Sequence, residues 1–189
     1  MKQIWDLEEI IKGCKSSNRR AQEQLFRKYY GKMLVVSMRY IHDKDSAQEV
    51  LQEGFIKVFE HIDKYDNKGS FEGWMRRIIA NCAIDFIRKS KKGFLLSEND
   101  NDFKYIPEEM DQTEEWEMTS LKAEIALEAI DQLTPAYKTV FNLYVMENYT
   151  HREIAELLGI NEGTSKSNLA KAKMKLQEHL NKKFIKIAQ

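Results

Sequence analysis

The chain has 189 residues, 42% of them hydrophobic, and its 30 Lys/Arg balance 30 Asp/Glu for a formal charge of zero. That length allows one or two domains with real cores, and no apolar run approaches the ~20 residues a membrane span needs. The acidic start MKQIWDLEEI is unlike a secretory leader, so a cytoplasmic protein without direct membrane insertion is expected. Few segments alternate like strands, and there are only eight glycines and two prolines, Pro107 and Pro135. An all-α fold is therefore predicted. Cys14 and Cys82 read as buried, reduced thiols rather than a disulfide or metal pair.

The first helix is predicted over about Asp6 to Lys12, stopped near Gly13. The second runs from about Asn18 to Ile41, with Leu25, Tyr29, Met33, Val36 and Tyr40 facing inward. The third follows His42-Asp43-Lys44-Asp45. Its apolar set, Ala47, Val50, Leu51, Phe55, Val58, Phe59 and Ile62, falls at steps of three and four, one helical stripe. Its outer face carries Asp45, Gln48, Glu49, Gln52, Glu53 and Lys57, with Gly54 admitting close approach. That face reads either as an ordinary solvated surface or as a dock for a basic partner.

The fourth helix follows the loop 63–69, with Ser70 as cap, and continues through Trp74, Ile78 and Ile84 to Ile87. Phe71, Trp74 and Phe86 share it with Arg76, Arg77, Arg88, Lys89, Lys91 and Lys92, and the loop adds Lys64 and Tyr65. Rings interleaved with cations suit single-stranded nucleic acid. Splayed bases stack on rings at ~1–3 kcal/mol per base while cations follow the phosphates. The plainer reading makes Trp74 and Phe86 core residues and the arginines a solvated face. Both stand for Trp74; for the whole segment, a second DNA-type module downstream favours nucleic acid.

Residues 93–116 are rich in Asn, Asp, Ser, Gly and Pro and are expected to be a linker. Helix resumes near Trp116 and runs to Asp131. Thr134-Pro135 is a cap with a first-turn proline, and the next helix ends near Asn148. Thr150 and Glu153 then form a capping box for a helix with Ile154, Leu157 and Leu158 inward and Ala155 kept small. Gly159 suits the left-handed residue that ends it, Ile160 plugs the corner, and Asn161 caps the next helix. That helix carries Lys166, Lys171, Lys173 and Lys175. A short helix, a glycine turn and a basic second helix make the helix-turn-helix pattern.

The zero charge hides its layout. Residues 1–92 carry a net of +6, residues 93–131 a net of −10, and residues 132–189 a net of +4. Two basic blocks suggest two surfaces facing polyanions, kept apart by an acidic spacer.

DSAQEVLQEGFIKVFEHI, KYDNKGSFEGWMRRIIANCAIDFIRKSKK and YTHREIAELLGINEGTSKSNLAKAKMKL together resemble the signature regions of bacterial RNA polymerase sigma factors of the sigma-70 family. The compact size resembles the extracytoplasmic-function (ECF) group. The resemblance implies two small helical domains, region 2 over 1–92 and region 4 over 117–189, joined by a flexible acidic linker. It implies a transcription initiation factor that binds RNA polymerase core, directs it to specific promoter DNA and helps open it. The positions matching core docking are Glu49, Gln52 and Glu53. A pocket for a flipped base of the minus-ten element matches Lys57, Tyr65 and Asn81, with Trp74, Arg76, Arg77 and Arg88 on the same DNA-binding surface. The minus-thirty-five element matches Thr164, Lys166, Ser167, Ala170 and Lys171, with Lys173 on phosphates. An anti-sigma factor, which can be membrane-anchored, is implied as a further partner. Two positions depart from the family. Ser165 stands where a β-branched residue is common, so Leu169 and Ala172 are expected to anchor the second helix. Asn168 stands in place of an arginine.

No carboxylate pair, nucleophile triad, Gly-rich phosphate loop or His/Cys cluster argues for chemistry, so no enzyme, cofactor or metal is expected. His42, His61, His151 and His179 are scattered and read as exposed or capping residues. One rival is a dimeric helix-turn-helix transcriptional regulator acting without polymerase docking. A second is a helical adaptor for a protein partner. A duplex-only binder has no use for base stacking, and an adaptor none for two separated basic surfaces.

Overall fold

The computed structural model describes residues 5–90 and 125–187. All regular structure among them is helical, and the chain divides into two compact units, Met1–Lys92 and Gly93–Gln189. The linker expected over 93–116 and the helix start near Trp116 lie outside the described residues. No helix among those described is long and apolar enough to cross a membrane.

The first unit packs α1 (Leu7–Lys15), α2 (Arg19–Met38), α3 (Lys44–His61) and α4 (Phe71–Ser90), with a short 3-10 turn at Ile62–Lys64. Each helix starts where a side-chain oxygen takes otherwise unpaired N–H groups. Asp6 and Glu9 form a reciprocal capping box on α1. Asn18 accepts from the N–H groups of Arg20 and Ala21, and Asp43 accepts from that of Ser46. Ser70 Oγ accepts from Gly73 N–H at 3.0 Å.

The helix ends differ from expectation. α1 runs past Gly13 to Lys15, because the turn falls on Ser17 in the left-handed region (φ 57°). There Gly13 serves as acceptor for the Ser16 hydroxyl and the Asn18 N–H, both at 2.9 Å. α2 stops at Met38, and Tyr40 and Ile41 are buried from outside the helix. The core of the unit is Leu25, Met33, Leu51, Ile62, Met75, Ile79 and Ile84. Trp74 and Ile78 stay half-buried at its edge.

The second unit begins with a helical stretch over 125–131 (α5). α6 (Pro135–Phe141) follows and widens into a π-helical turn at Asn142–Met146. Then come α7 (His151–Leu158) and α8 (Glu162–Ile187). Pro135 sits in the first turn of α6, although Thr134 makes no side-chain capping bond. Asn148 takes a left-handed turn (φ 56°) that releases the chain into α7. Lys138 on α6 is buried and pairs with Asp131 at the end of α5. The core is Ile125, Val140, Leu143, Ile154, Leu158, Leu169 and Ala172.

Candidate nucleic-acid interface

α4 presents one half-open face. Trp74, Ile78, Asn81 and Asp85 recur at steps of three and four, all half-buried, with Arg77 and Arg88 exposed beside them. At about 100° per residue these six share one side of the helix. Arg76, expected with them, lies about half a turn away, on the side of buried Ala80, Ala83 and Ile87. Arg77 and Arg88 thus lie together along one edge of the face. Phe86 is half-buried off the same face.

Beneath Trp74 is an aromatic floor. Its ring lies 5.6 Å from Tyr65 and 5.5 Å from Phe71. Tyr65 meets Phe71 edge-on at 5.0 Å, and Tyr29 meets Phe71 at 6.0 Å. Tyr65 does not itself face outward. It is 6% exposed, and its hydroxyl donates to the Gly69 carbonyl at 2.9 Å. Its backbone carbonyl accepts from Lys15 Nζ at 3.1 Å. Tyr65 therefore ties down the loop and backs Trp74, which is the ring left partly open to solvent.

Lys57 lies in the seam between α3 and α4. Its ammonium is 3.1 Å from Glu53 and 3.9 Å from Asp85, and it is half-buried rather than out on the ridge. Burial pulls its pKa down, but the hydrogen bond to Glu53 and the neighbouring Cys82 thiol outweigh it and hold the group above the usual lysine range. Burial pushes the Cys82 thiol up, against the pull of Lys57. Cys14 is likewise buried, its thiol raised to about 11 by burial. Neither cysteine is a reactive thiolate.

The outer face of α3 is a narrow acidic ridge. Asp45, Glu49, Gln52, Glu53 and Glu60 are exposed along it. In their midst Ile56 is 58% exposed, the most open of the large hydrophobic residues described. Its place outside the buried stripe was visible in the helical period; its exposure was not. Gly54 is not on this ridge. It is turned inward, where a Cβ would collide with Ile79 Cδ1. The close approach it admits is that of α4.

In the second unit the predicted corner forms. Thr150 and Glu153 make the reciprocal capping box of α7. Gly159 ends the helix in the left-handed region (φ 67°). Asn161 Oδ1 accepts from Thr164 N–H at 2.7 Å to start α8. Ser165, Leu169 and Ala172 are buried under α8, as one inward side. The opposite side carries exposed Ser167, Ala170 and Lys171, with exposed Lys166 and Lys173 along one edge and half-buried Thr164 along the other. Met174, 51% exposed, joins them on that side. A methionine there offers an apolar contact among the lysines, a role helical spacing alone did not announce. Lys166 is 3.6 Å from Glu162, an open surface pair of little energetic weight. Lys171 sits 5.8 Å over the Tyr137 ring, which draws its ammonium toward α6.

His151 is neither free nor a cap. Its ring stacks on Tyr144 at 4.5 Å, and its Nδ1 is 2.9 Å from Ser165 Oγ. Among the described residues no group of three or more His, Cys, Asp or Glu side chains could hold a metal ion.

Two family patterns match the chain. One, described as Sigma-70 region 2, covers residues 25–93. The other, described as Sigma-70, region 4, covers residues 123–176. Among curated relatives, the ECF RNA polymerase sigma factor SigE of Mycolicibacterium smegmatis is 27% identical over 168 residues. That match takes in 88% of this chain and 64% of SigE, so the chain spans a little under two-thirds of that relative. The ECF RNA polymerase sigma factor SigW of Bacillus subtilis is 27% identical over 190 residues, 92% of this chain and 96% of SigW. Among solved structures, the Bartonella quintana sigma factor RpoE, in complex with the anti-sigma factor NepR, matches with a TM-score of 0.52 and 17% identity. It covers 84% of this chain and 96% of that one, a likeness of fold.

Proposed function

Because the chain belongs to the ECF group of sigma-70 factors, we propose that it joins RNA polymerase core, selects promoters and helps separate their strands. It does so without catalysing nucleotide transfer, and it works in the bacterial cytoplasm. What supports this reading is that one chain carries two different faces suited to nucleic acid: a half-open tryptophan with two arginines along one edge on α4, and a helix-turn-helix with a cationic α8. A duplex-only regulator would need the second and not the first.

The first unit, 1–92, takes the minus-ten element and the polymerase. Trp74 backed by Tyr65 and Phe71 offers a stacking platform, Arg77 and Arg88 suit the phosphates, and Lys57 with Asn81 suits a base lifted out of the stack. Unstacking costs a few kcal/mol, which a preformed pocket offsets. The acidic ridge Glu49, Gln52 and Glu53, with Ile56 at its centre, suits a basic, partly apolar surface on the polymerase. The second unit, 117–189, takes the minus-thirty-five element through Thr164, Lys166, Ser167, Ala170 and Lys171, with Lys173 on phosphate, and 93–116 tethers the two. An anti-sigma protein, such as the one bound to the Bartonella relative, is proposed as the partner that withholds the chain from polymerase.

The direct test is to mix the chain with core polymerase and map transcription starts across a genome. New starts sharing two spaced promoter elements are expected; no association, or association without start-site choice, defeats the proposal. Two substitutions refine it. Lys166→Ala should weaken binding to the native minus-thirty-five element by ~1–3 kcal/mol if the lysine reads a base. An equal loss on all sequences would make it a phosphate contact instead. Asn81→Ala should cost ~1 kcal/mol of hydrogen bonding, about a fivefold drop in open complex, while duplex binding survives. Permanganate footprinting would show parental strand separation if that assignment is wrong.

A further inference from the structure

We propose that His151 is a positioning residue for the recognition helix, acting through Ser165, and that this pair sets how α8 is rolled against the DNA. The inference rests on the reading of α8 as the minus-thirty-five reader.

The observation is one imidazole touching three elements. His151 belongs to the first turn of α7. One face of its ring lies on Tyr144 of the π-helical turn, with centroids 4.5 Å apart and planes at 23°. Its Nδ1 meets Ser165 Oγ of α8 at 2.9 Å. Ser165 is 0% exposed, beside Leu169 and Ala172 on the inward side of α8. A small polar side chain in such a place fills less space than an apolar one and holds by direction instead of bulk. A hydrogen bond is directional and an apolar contact is not. Either tautomer serves: the hydroxyl donates to a bare Nδ1, or a protonated Nδ1 donates to the hydroxyl.

The consequence follows from leverage. Ser165 stands between Thr164 and Lys166, so what holds it holds the start of the reading face. Side-chain tips ride about 5–6 Å from the helix axis, so a roll of about 20° moves them about 2 Å. Base-edge hydrogen bonds do not survive that shift. Attraction between lysine and phosphate does, because it is long-ranged and indifferent to orientation. Loss of the pair should therefore erode discrimination between sequences more than affinity for DNA.

The experiment uses the holoenzyme on a promoter found by start-site mapping, with its minus-thirty-five element native or scrambled. The readout is the ratio of the two affinities. His151→Phe keeps a ring on Tyr144 and loses the hydrogen bond. His151→Asn keeps an amide near the Nδ1 position and loses the ring. Ser165→Ala removes the hydroxyl, and Ser165→Thr retains it. His151→Phe and Ser165→Ala should each lower the ratio by about tenfold, with affinity for the scrambled promoter held. His151→Asn and Ser165→Thr should stay within about threefold of the parent. If His151→Phe and Ser165→Ala keep the parental ratio, the positioning role is overturned while the reading of α8 stands. If His151→Asn falls as far as His151→Phe, ring packing and not the hydrogen bond sets the pose, and the inference is overturned. If the parent itself does not discriminate, the reading of α8 fails first and this inference with it.

Discussion

Asp131→Ala is expected to strip the second unit of a large part of its stability. Lys138 has a side chain only 7% exposed, and its pairing with Asp131, itself 15% exposed, supplies the opposite charge in a nearly dry corner between α5 and α6. Removing one partner strands a buried ammonium, which costs about 3–5 kcal/mol. A domain of this kind has about 5–15 kcal/mol to lose, so the substitution takes a large share. The check is hydrogen exchange over 125–183 in the full chain, where protection should collapse while 5–90 stays protected. The pair is not stabilising in any absolute sense. The double variant Asp131→Leu with Lys138→Met removes both charges and fills the space, and it should recover most of the protection. A single variant that loses less than about 1 kcal/mol would mean that water already reaches this lysine.

Ile56→Asp is expected to abolish association with polymerase core while leaving the first unit folded. A side chain already 58% exposed gives up little on truncation in the free chain. At an interface it becomes the desolvated centre, ringed by Glu49, Gln52, Glu53 and Glu60. Residues so placed commonly carry 2 kcal/mol or more of binding, about thirtyfold in affinity. Introducing a carboxylate adds an unpaired charge to the cost. Glu53→Arg should act in the same direction by reversing the charge of the ridge proposed to meet a basic partner. Co-purification of either variant with core at the parental yield would remove α3 as the docking face. Unchanged helical circular dichroism shows that any loss is not one of folding.

The parts of this fold legible in the sequence are those whose physics closes within a few residues. Ser70, Thr150 and Asn161 each cap an N–H group three positions ahead, so a short string carries the whole interaction; Thr134, read the same way, makes no such bond. Gly159 ends α7 because a left-handed residue is needed there, and that too is local. The cationic side of α8 follows from helical period alone. The helix-turn-helix could thus be drawn nearly as the structure has it.

What the string could not carry were the faces chosen by a distant partner. Gly54 looked like part of an outer ridge because it sits among Gln52, Glu53 and Lys57. It is Ile79, twenty-five positions on, that claims it from inside. Tyr65 reads as a pocket residue in the string, but only packing puts its ring against Trp74 and its hydroxyl on the Gly69 carbonyl. Arg76 and Arg77 are neighbours in the string, yet consecutive helix positions lie about 100° apart, and only the packing of α4 decides which of them faces solvent. Ile56 and Met174 are apolar and exposed, a state composition never predicts, because burial depends on what else is there to cover them. His151 reads as an ordinary helix-start residue until Ser165, fourteen positions away, comes within hydrogen-bond reach. Local capping and periodicity determined that this chain is helical and equipped with a helix-turn-helix. Only tertiary contact decided which side chains of those helices stay exposed, because exposure is a property of neighbours brought together by folding.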